Sequence, residues 1–328
     1  MSLCQACREG DLSSTQLLIE EGHELEETIE YRNPKLAVRL VFFQSILECT
    51  PLQIASSEGR LAIVKKLLIA GANIHAKDPD YGVTVLHLAC LSGHLDVVVI
   101  LLDNGCGVNE LSDDDDITPL MCAAGYGHTV IVSILLQRGA DVHLKTEVEG
   151  CTALHWACQE GHLQCAQLLL NSGSRVNEPD ADKYTPLTYA GRNGQHAIIT
   201  ELLQRGADVH LKTEVEGFTA LYLACEEGHL PCAQLLLDSG SRVNEQDADK
   251  WTPLIIAAFY GHHVIITELL QRGADVHLKT EVDGFTALYL ACLFGYLQCA
   301  QLLLNSGSRV NEPNLEEYTP LILSLIHI

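Results

Sequence analysis

The sequence predicts an all-α solenoid, a stack of helix–turn–helix units, and three observations carry that expectation. A triplet that opens with Thr and closes with Leu recurs every 33 or 34 residues, at Thr50, Thr84, Thr118, Thr152, Thr185, Thr219, Thr252, Thr286 and Thr319. A glycine, usually followed by His, divides each unit into two short apolar stretches. A polar, acidic loop then closes the unit. A fixed period of this length marks a repeat array, so units rather than globular domains organise the chain.

Residues 1–25 form a degenerate first unit, and residues 26–49 an extended loop. Within that loop Asn33-Pro34, followed by Leu36, Leu40, Phe43 and Leu47, predicts a short amphipathic helix with a cap and a first-turn Pro. Eight full units follow at 50–83, 84–117, 118–151, 152–184, 185–218, 219–251, 252–285 and 286–318. In each, Thr of the triplet can cap the first helix, and Pro, where present, suits a first turn in which its missing N–H costs nothing. Gly59, Gly93, Gly127, Gly161, Gly194, Gly228, Gly261 and Gly295 stand where that helix must stop, because glycine accepts a left-handed backbone. A second glycine, such as Gly139 or Gly206, ends the second helix. Residues 319–328 begin a ninth unit and stop before its glycine, so the chain is expected to be a fragment. The closing LSLIHI resembles translated sequencing-adapter read-through and is set apart from the fold.

Together the TPL triplet, the small-residue pair, Gly-His, Leu-Leu and Gly-Ala-Asp-x-Val resemble the ankyrin-repeat family over residues 50–318. The resemblance implies paired antiparallel helices with projecting β-hairpin loops, a concave face that binds protein, and no catalysis or cofactor. Residues 185–251 and 252–318 match at 48 of 67 positions, and 118–184 is a third close copy, so a two-unit block has been multiplied.

Composition narrows the partners. Apolar residues make up 47% of the 328, enough to bury a core. The 43 carboxylates against 20 Lys and Arg give a net charge of −23, which repels phosphate backbones and anionic membranes and favours a basic protein surface. No secretory signal leads the chain, and the apolar run at 36–47 is too short to span a bilayer. Thirteen cysteines, an odd number without a signal, are expected as reduced, buried thiols in a cytoplasmic or nuclear monomer.

The segment HWACQEGHLQC (155–165) has the residue types of a zinc site, since His155, Cys158, His162 and Cys165 would share one face of an unbroken helix. Gly161 interrupts that helix, and the equivalent positions in later copies hold Tyr222, Tyr289 and Tyr296, so the four are assigned to packing and hydrogen bonding. Cys4 and Cys7 form a lone CxxC, assigned to the core. The run Asp113–Asp116 lacks the glycine and terminal Glu of a calcium loop and is expected at a solvated loop tip. Metal sites are therefore not expected.

Function is expected on the face made jointly by neighbouring units. There the two residues before each helix-ending glycine run Leu91-Ser92, Gly125-Tyr126, Gln159-Glu160, Arg192-Asn193, Glu226-Glu227, Phe259-Tyr260 and Leu293-Phe294. Cys151, Tyr184, Phe218, Trp251, Phe285 and Tyr318 precede the triplets at the loop ends. Between the two copies Arg192-Asn193 becomes Phe259-Tyr260, and Glu226-Glu227 becomes Leu293-Phe294, at sites that packing does not require to be apolar. Tyr126, Tyr184, Arg192, Phe218, Glu226, Glu227, Trp251, Phe259, Tyr260, Phe285, Leu293 and Phe294 are thus the candidate partner-binding residues, with the acidic ones suited to a basic segment. The family resemblance also implies asparaginyl hydroxylation of the residue after Val in this loop: Asn177, Asn244, Asn311, His143, His210 and His277 fit, with Leu169 and Leu135 eight residues before the first of each type. Three roles compete: a scaffold gripping a partner segment, the substrate-recognition array of a larger ubiquitin ligase or kinase, and a mechanical spacer.

Overall fold

The computed structural model describes residues 2–31 and 47–320. It contains nine helix pairs: α1 Leu3–Glu9 with α2 Leu12–Glu20, α3 Pro51–Ser57 with α4 Leu61–Ile69, α5 Val85–Ser92 with α6 Leu95–Asp103, and α7 Pro119–Gly125 with α8 Thr129–Gln137. The series continues with α9 Ala153–Glu160 and α10 Leu163–Asn171, α11 Pro186–Arg192 and α12 His196–Gln204, α13 Ala220–Glu226 and α14 Leu230–Asp238, α15 Pro253–Phe259 and α16 His263–Gln271, and α17 Ala287–Leu293 and α18 Leu297–Asn305. The described residues divide into two compact units, one running to Ala157 with Gln164–Ser174, the other comprising Cys158–Leu163 and the residues from Arg175.

The two helices of a pair differ in burial. In the first unit every residue of α3, α5 and α7 is buried. Their partners bury only one stripe, such as Ile63, Val64 and Leu67 in α4 or Ile131, Val132 and Leu135 in α8. A helix covered all round is mostly apolar and must hydrogen-bond the few polar side chains it buries, as Gln53 and His87 are bonded here, whereas an outer helix needs only a narrow apolar face. In the second unit α11, α13, α15 and α17 pack in succession, as do α12, α14, α16 and α18. Helices of seven to nine residues are marginal alone, so their stability comes from this stacking.

Helix starts and stops follow the sequence. Thr50 accepts a bond from Gln53 N–H while the Gln53 Oε1 accepts from Thr50 N–H, closing a capping box ahead of Pro51. The eight helix-ending glycines all have φ between 70° and 83°. At Gly228 the space is also taken: a Cβ there would lie 2.8 Å from the His262 ring. That ring's Nε2–H donates to Glu226 O at 2.9 Å, and His94 and His128 reach Ser57 O and Leu91 O in the same way. These Gly-His pairs therefore stitch a repeat to the end of the first helix of the repeat before it.

The loops differ from the expected hairpins. Among the described residues paired strands occur only at β1 Ile29–Tyr31 with β2 Leu47–Cys49, antiparallel, with an isolated bridge at Lys77 and Thr84. Other loops are tight turns closed by backbone bonds across their bases, for example Thr213 N to Phe218 O and Asp247 N to Trp251 O, both 3.0 Å. Carboxylates accepting backbone N–H groups shape several of them, as Asp247 Oδ1 does from Asp249 and Trp251. The helix expected around Leu36, Leu40 and Phe43 and the end of the chain from 321 lie outside the described residues.

Candidate functional site

In the second unit the ends of α11, α13, α15 and α17 bring the outward-facing candidates into order. Arg192, Asn193 and Glu227 are exposed, and Glu226, Phe259 and Leu293 are half-buried. Tyr260 and Phe294 each keep 46% of their surface. Phe259 is the hub: its ring meets Trp251 at 5.6 Å, Tyr260 at 4.9 Å and Phe294 at 5.0 Å between centroids, each edge to face. Phe294 also tilts against Tyr296 at 6.2 Å, and Tyr296 keeps 36% of its surface. Such edge-to-face pairs gain about 0.5–1.5 kcal/mol each beyond their area, enough to hold exposed rings in a fixed array.

Tyr296 was not foreseen as part of this cluster. It replaces the His of the Gly-His pair and packs over Gly261 as those histidines do over theirs, leaving one side of the ring outward. Phe218 and Phe285 instead stack on Tyr222 and Tyr289 in the first helix of the following repeat, at 4.6 and 4.7 Å, and Tyr184 tilts against Tyr189 at 5.7 Å. Each therefore gives much of one ring face to the helix that follows it.

In the first unit the expectation fails at three of the helix-end positions. Leu91, Ser92 and Gly125 are buried, as is Cys151 at a loop end. Gly125 is covered by the Trp156 indole, whose Cε3 would lie 2.9 Å from an added Cβ. Tyr126 remains half-buried beside His128, with ring centroids 6.3 Å apart.

Electrostatics sharpen the second unit's surface. Partial burial, then the neighbouring Glu227, push the Glu226 carboxyl above the ordinary range, while Arg192 works against them. Burial and the same two carboxylates raise the Tyr260 hydroxyl. An acidic pair thus lies against an exposed aromatic ring. Nearby, a cleft of about 400 Å³ opens between the loop ending at Phe218 and the loop ending at Trp251.

The hydroxylation candidates occupy joints between repeats. Asn177 Oδ1 accepts from Asp208 N–H at 2.9 Å and its Nδ2 donates to Gly206 O at 3.4 Å; Asn244 repeats both bonds with Asp275 and Gly273. Asn109, not singled out by the sequence, makes the same two bonds to Asp141 and Gly139, at 2.9 and 3.2 Å. Its signal was the Val-Asn pair at 108–109. Asn311, His143, His210 and His277 are exposed.

The remaining chemical candidates are tied into the framework. His155 Nδ1 accepts from Thr152 N–H at 3.0 Å, and Cys158 is fully buried. Cys4 and Cys7 are buried, and burial pushes both thiols up to about 12. Asp115 departs from the solvated loop tip: it is buried and accepts from Val148 N–H at 2.7 Å, because the following loop closes over it. Among the described residues no cluster of His, Cys, Asp and Glu could hold a metal ion, and no helix is long and apolar enough to cross a membrane.

Stacked helical pairs with projecting loops and a protein-binding type of surface define a repeat-array interaction module. The chain belongs to the ankyrin-repeat family: the family model for ankyrin repeats (three copies) matches in overlapping stretches from residue 3 to residue 327. The ankyrin repeat domain of human ASB11 superposes with a TM-score of 0.64 at 29% identity, covering 69% of this chain and 99% of that one. Human SMC5-SMC6 complex localization factor protein 1 is 41% identical over 100 residues, 30% of this chain and 10% of that protein. The probable E3 ubiquitin-protein ligase XBOS31 of Oryza sativa subsp. japonica is 34% identical over 134 residues, 41% of this chain and 30% of that protein. The chain thus spans between a tenth and a third of the length of these two relatives. Ankyrin repeats are general protein-interaction modules, and the fold is typically non-catalytic.

Proposed function

We propose that the chain is an interaction scaffold whose second unit holds a segment of a partner protein across the ends of α13, α15 and α17. The observation that carries this reading is the edge-to-face cluster of Trp251, Phe259, Tyr260 and Phe294, in which half-buried Trp251 and Phe259 hold Tyr260 and Phe294 exposed. Rigid aromatics fixed by one another lose little entropy when covered, and such residues concentrate binding energy at interfaces. A partner lying along these helix ends would bury about 800 Å² on this side, the size of an ordinary specific interface.

A photo-crosslinking residue placed at Tyr260 or Phe294 tests this in cells, with Ile69 as the control on an 87%-exposed outer-helix site. Discrete protein adducts at 260 and 294, absent at 69 and lost with Phe259→Ala, are expected. Equal or absent adducts at all three sites would overturn the reading.

A second reading, that the same surface presents substrates to a ubiquitin ligase, draws support from the similarity to XBOS31. It expects ligase components and ubiquitylated proteins among the adducts.

A further inference from the structure

Resting on the reading that the second unit binds a protein segment, we infer that the cleft between the Phe218 and Trp251 loops receives the cationic head of an arginine or lysine side chain of that segment. The cleft, about 400 Å³, falls within the range of small-ligand sites. Its lining combines three aromatic rings with three carboxylates: Phe218, Tyr222 and Trp251 with Glu216, Asp247 and Asp249. No lysine or arginine lines it. The nearest basic residues in these loops pair elsewhere, Lys250 with Glu281 at 3.4 Å and Lys212 with Glu245 at 2.6 Å.

That combination selects by chemistry. An anion would meet only like charge, and a purely apolar head would desolvate the carboxylates with nothing in return. A guanidinium or ammonium gains both the ring faces and the carboxylates. The site is also preformed. Phe218 lies stacked on Tyr222 with 7° between the ring planes, and Ala248 N–H donates to Glu216 O at 2.8 Å, tying one loop to the other. Asp247 is held by the N–H groups of Asp249 and Trp251, which leaves the exposed Glu216 and Asp249 to meet an incoming charge.

The block's next copy, 67 residues on, shows what happens without the site. There Asn314 stands for Asp247, Leu315 for Ala248 and Tyr318 for Trp251. One carboxylate is gone, and the Leu315 side chain presses to 3.0 Å from where a Cβ on Gly284 would sit. The next copy therefore does not repeat this lining, and a cation held here fixes the register of the bound segment against the aromatic cluster.

The test uses arrays of 12-residue peptides with randomised flanks and a central arginine, lysine, citrulline or norleucine, probed with the full chain. Arginine- and lysine-centred pools should bind at least tenfold more strongly than the neutral pools. That preference should vanish in the E216Q/D249N double variant, whose two sites are exposed and whose fold is checked by circular dichroism. Y260A should weaken all pools while keeping their ratio. Equal binding of arginine and citrulline pools, still lowered by Y260A, would overturn the cation site and leave the scaffold reading standing. A preference that survives E216Q/D249N would also overturn it. Binding of no pool above background would remove both.

Discussion

His87 and Gln53 sit one repeat apart and do the same work with different chemistry. Gln53 accepts from Thr50 N–H and donates from Nε2 to Val83 O at 2.9 Å. His87 accepts at Nδ1 from Thr84 and donates from Nε2 to Ile117 O at 2.9 Å. The imidazole is fully buried and must be neutral to accept at Nδ1, and desolvation lowers its pKa to about 4. A base with a depressed folded pKa stabilises the fold fully above its unfolded value, about 6.5, and loses that contribution as pH falls toward 4. The loss reaches roughly 3 kcal/mol. In H87Q the amide should keep both bonds without titrating. Urea unfolding between pH 4 and 6.5 should therefore show a shallower acid limb than wild type, by up to one proton or about 1.4 kcal/mol per pH unit; an identical limb would refute the assignment.

At the scale of the element, the pairing of helix ends with glycines was legible in the sequence, because caps and left-handed stops are local chemistry. The loops were less so. The resemblance implied paired strands, but these loops turn on one or two backbone bonds and on carboxylates such as Asp78 and Asp247 that accept several N–H groups. Which aromatic faces outward was legible only in part. Phe259 and Phe285 were both candidates by sequence, yet one is the hub of a ring cluster and the other stacks on Tyr289. That choice depends on the neighbouring repeat, which no local pattern reports. Buried Leu91 and Ser92 teach the same lesson from the other side. The joints between elements are testable through Asn177. Replacing it with Ala removes the acceptor for Asp208 N–H, a loss of about 1 kcal/mol. Hydrogen exchange at the Asp208 amide should speed roughly five- to tenfold while the amides of α12 hold their protection; unchanged exchange at Asp208 would show the bond to be idle.

At the scale of the whole molecule, repetition makes the chain modular. Residues 185–251 form two complete units, and removing them joins Tyr184 to Thr252 across a junction of the kind already used between Trp251 and Thr252. The shortened protein should fold cooperatively with a helical signal lower by two helix pairs. Because the denaturant slope scales with surface exposed on unfolding, it should fall by about a fifth, in line with the 67 of 328 residues lost. Collapse to an aggregated or unfolded chain would show that distant units cooperate beyond nearest neighbours.

The thiols give this architecture a built-in alarm. Twelve of the thirteen cysteines are buried and Cys292 is half-buried, and burial holds thiols such as Cys122 near 12, far from the reactive thiolate. Folded, the chain should react slowly with alkylating and oxidising reagents, Cys292 first; once a pair of helices separates, several sulfurs should surface together. Labelling kinetics would then time each local opening, and an oxidant present at that moment would hold the opened chain in disulfide-linked forms until a thiol reductant released it.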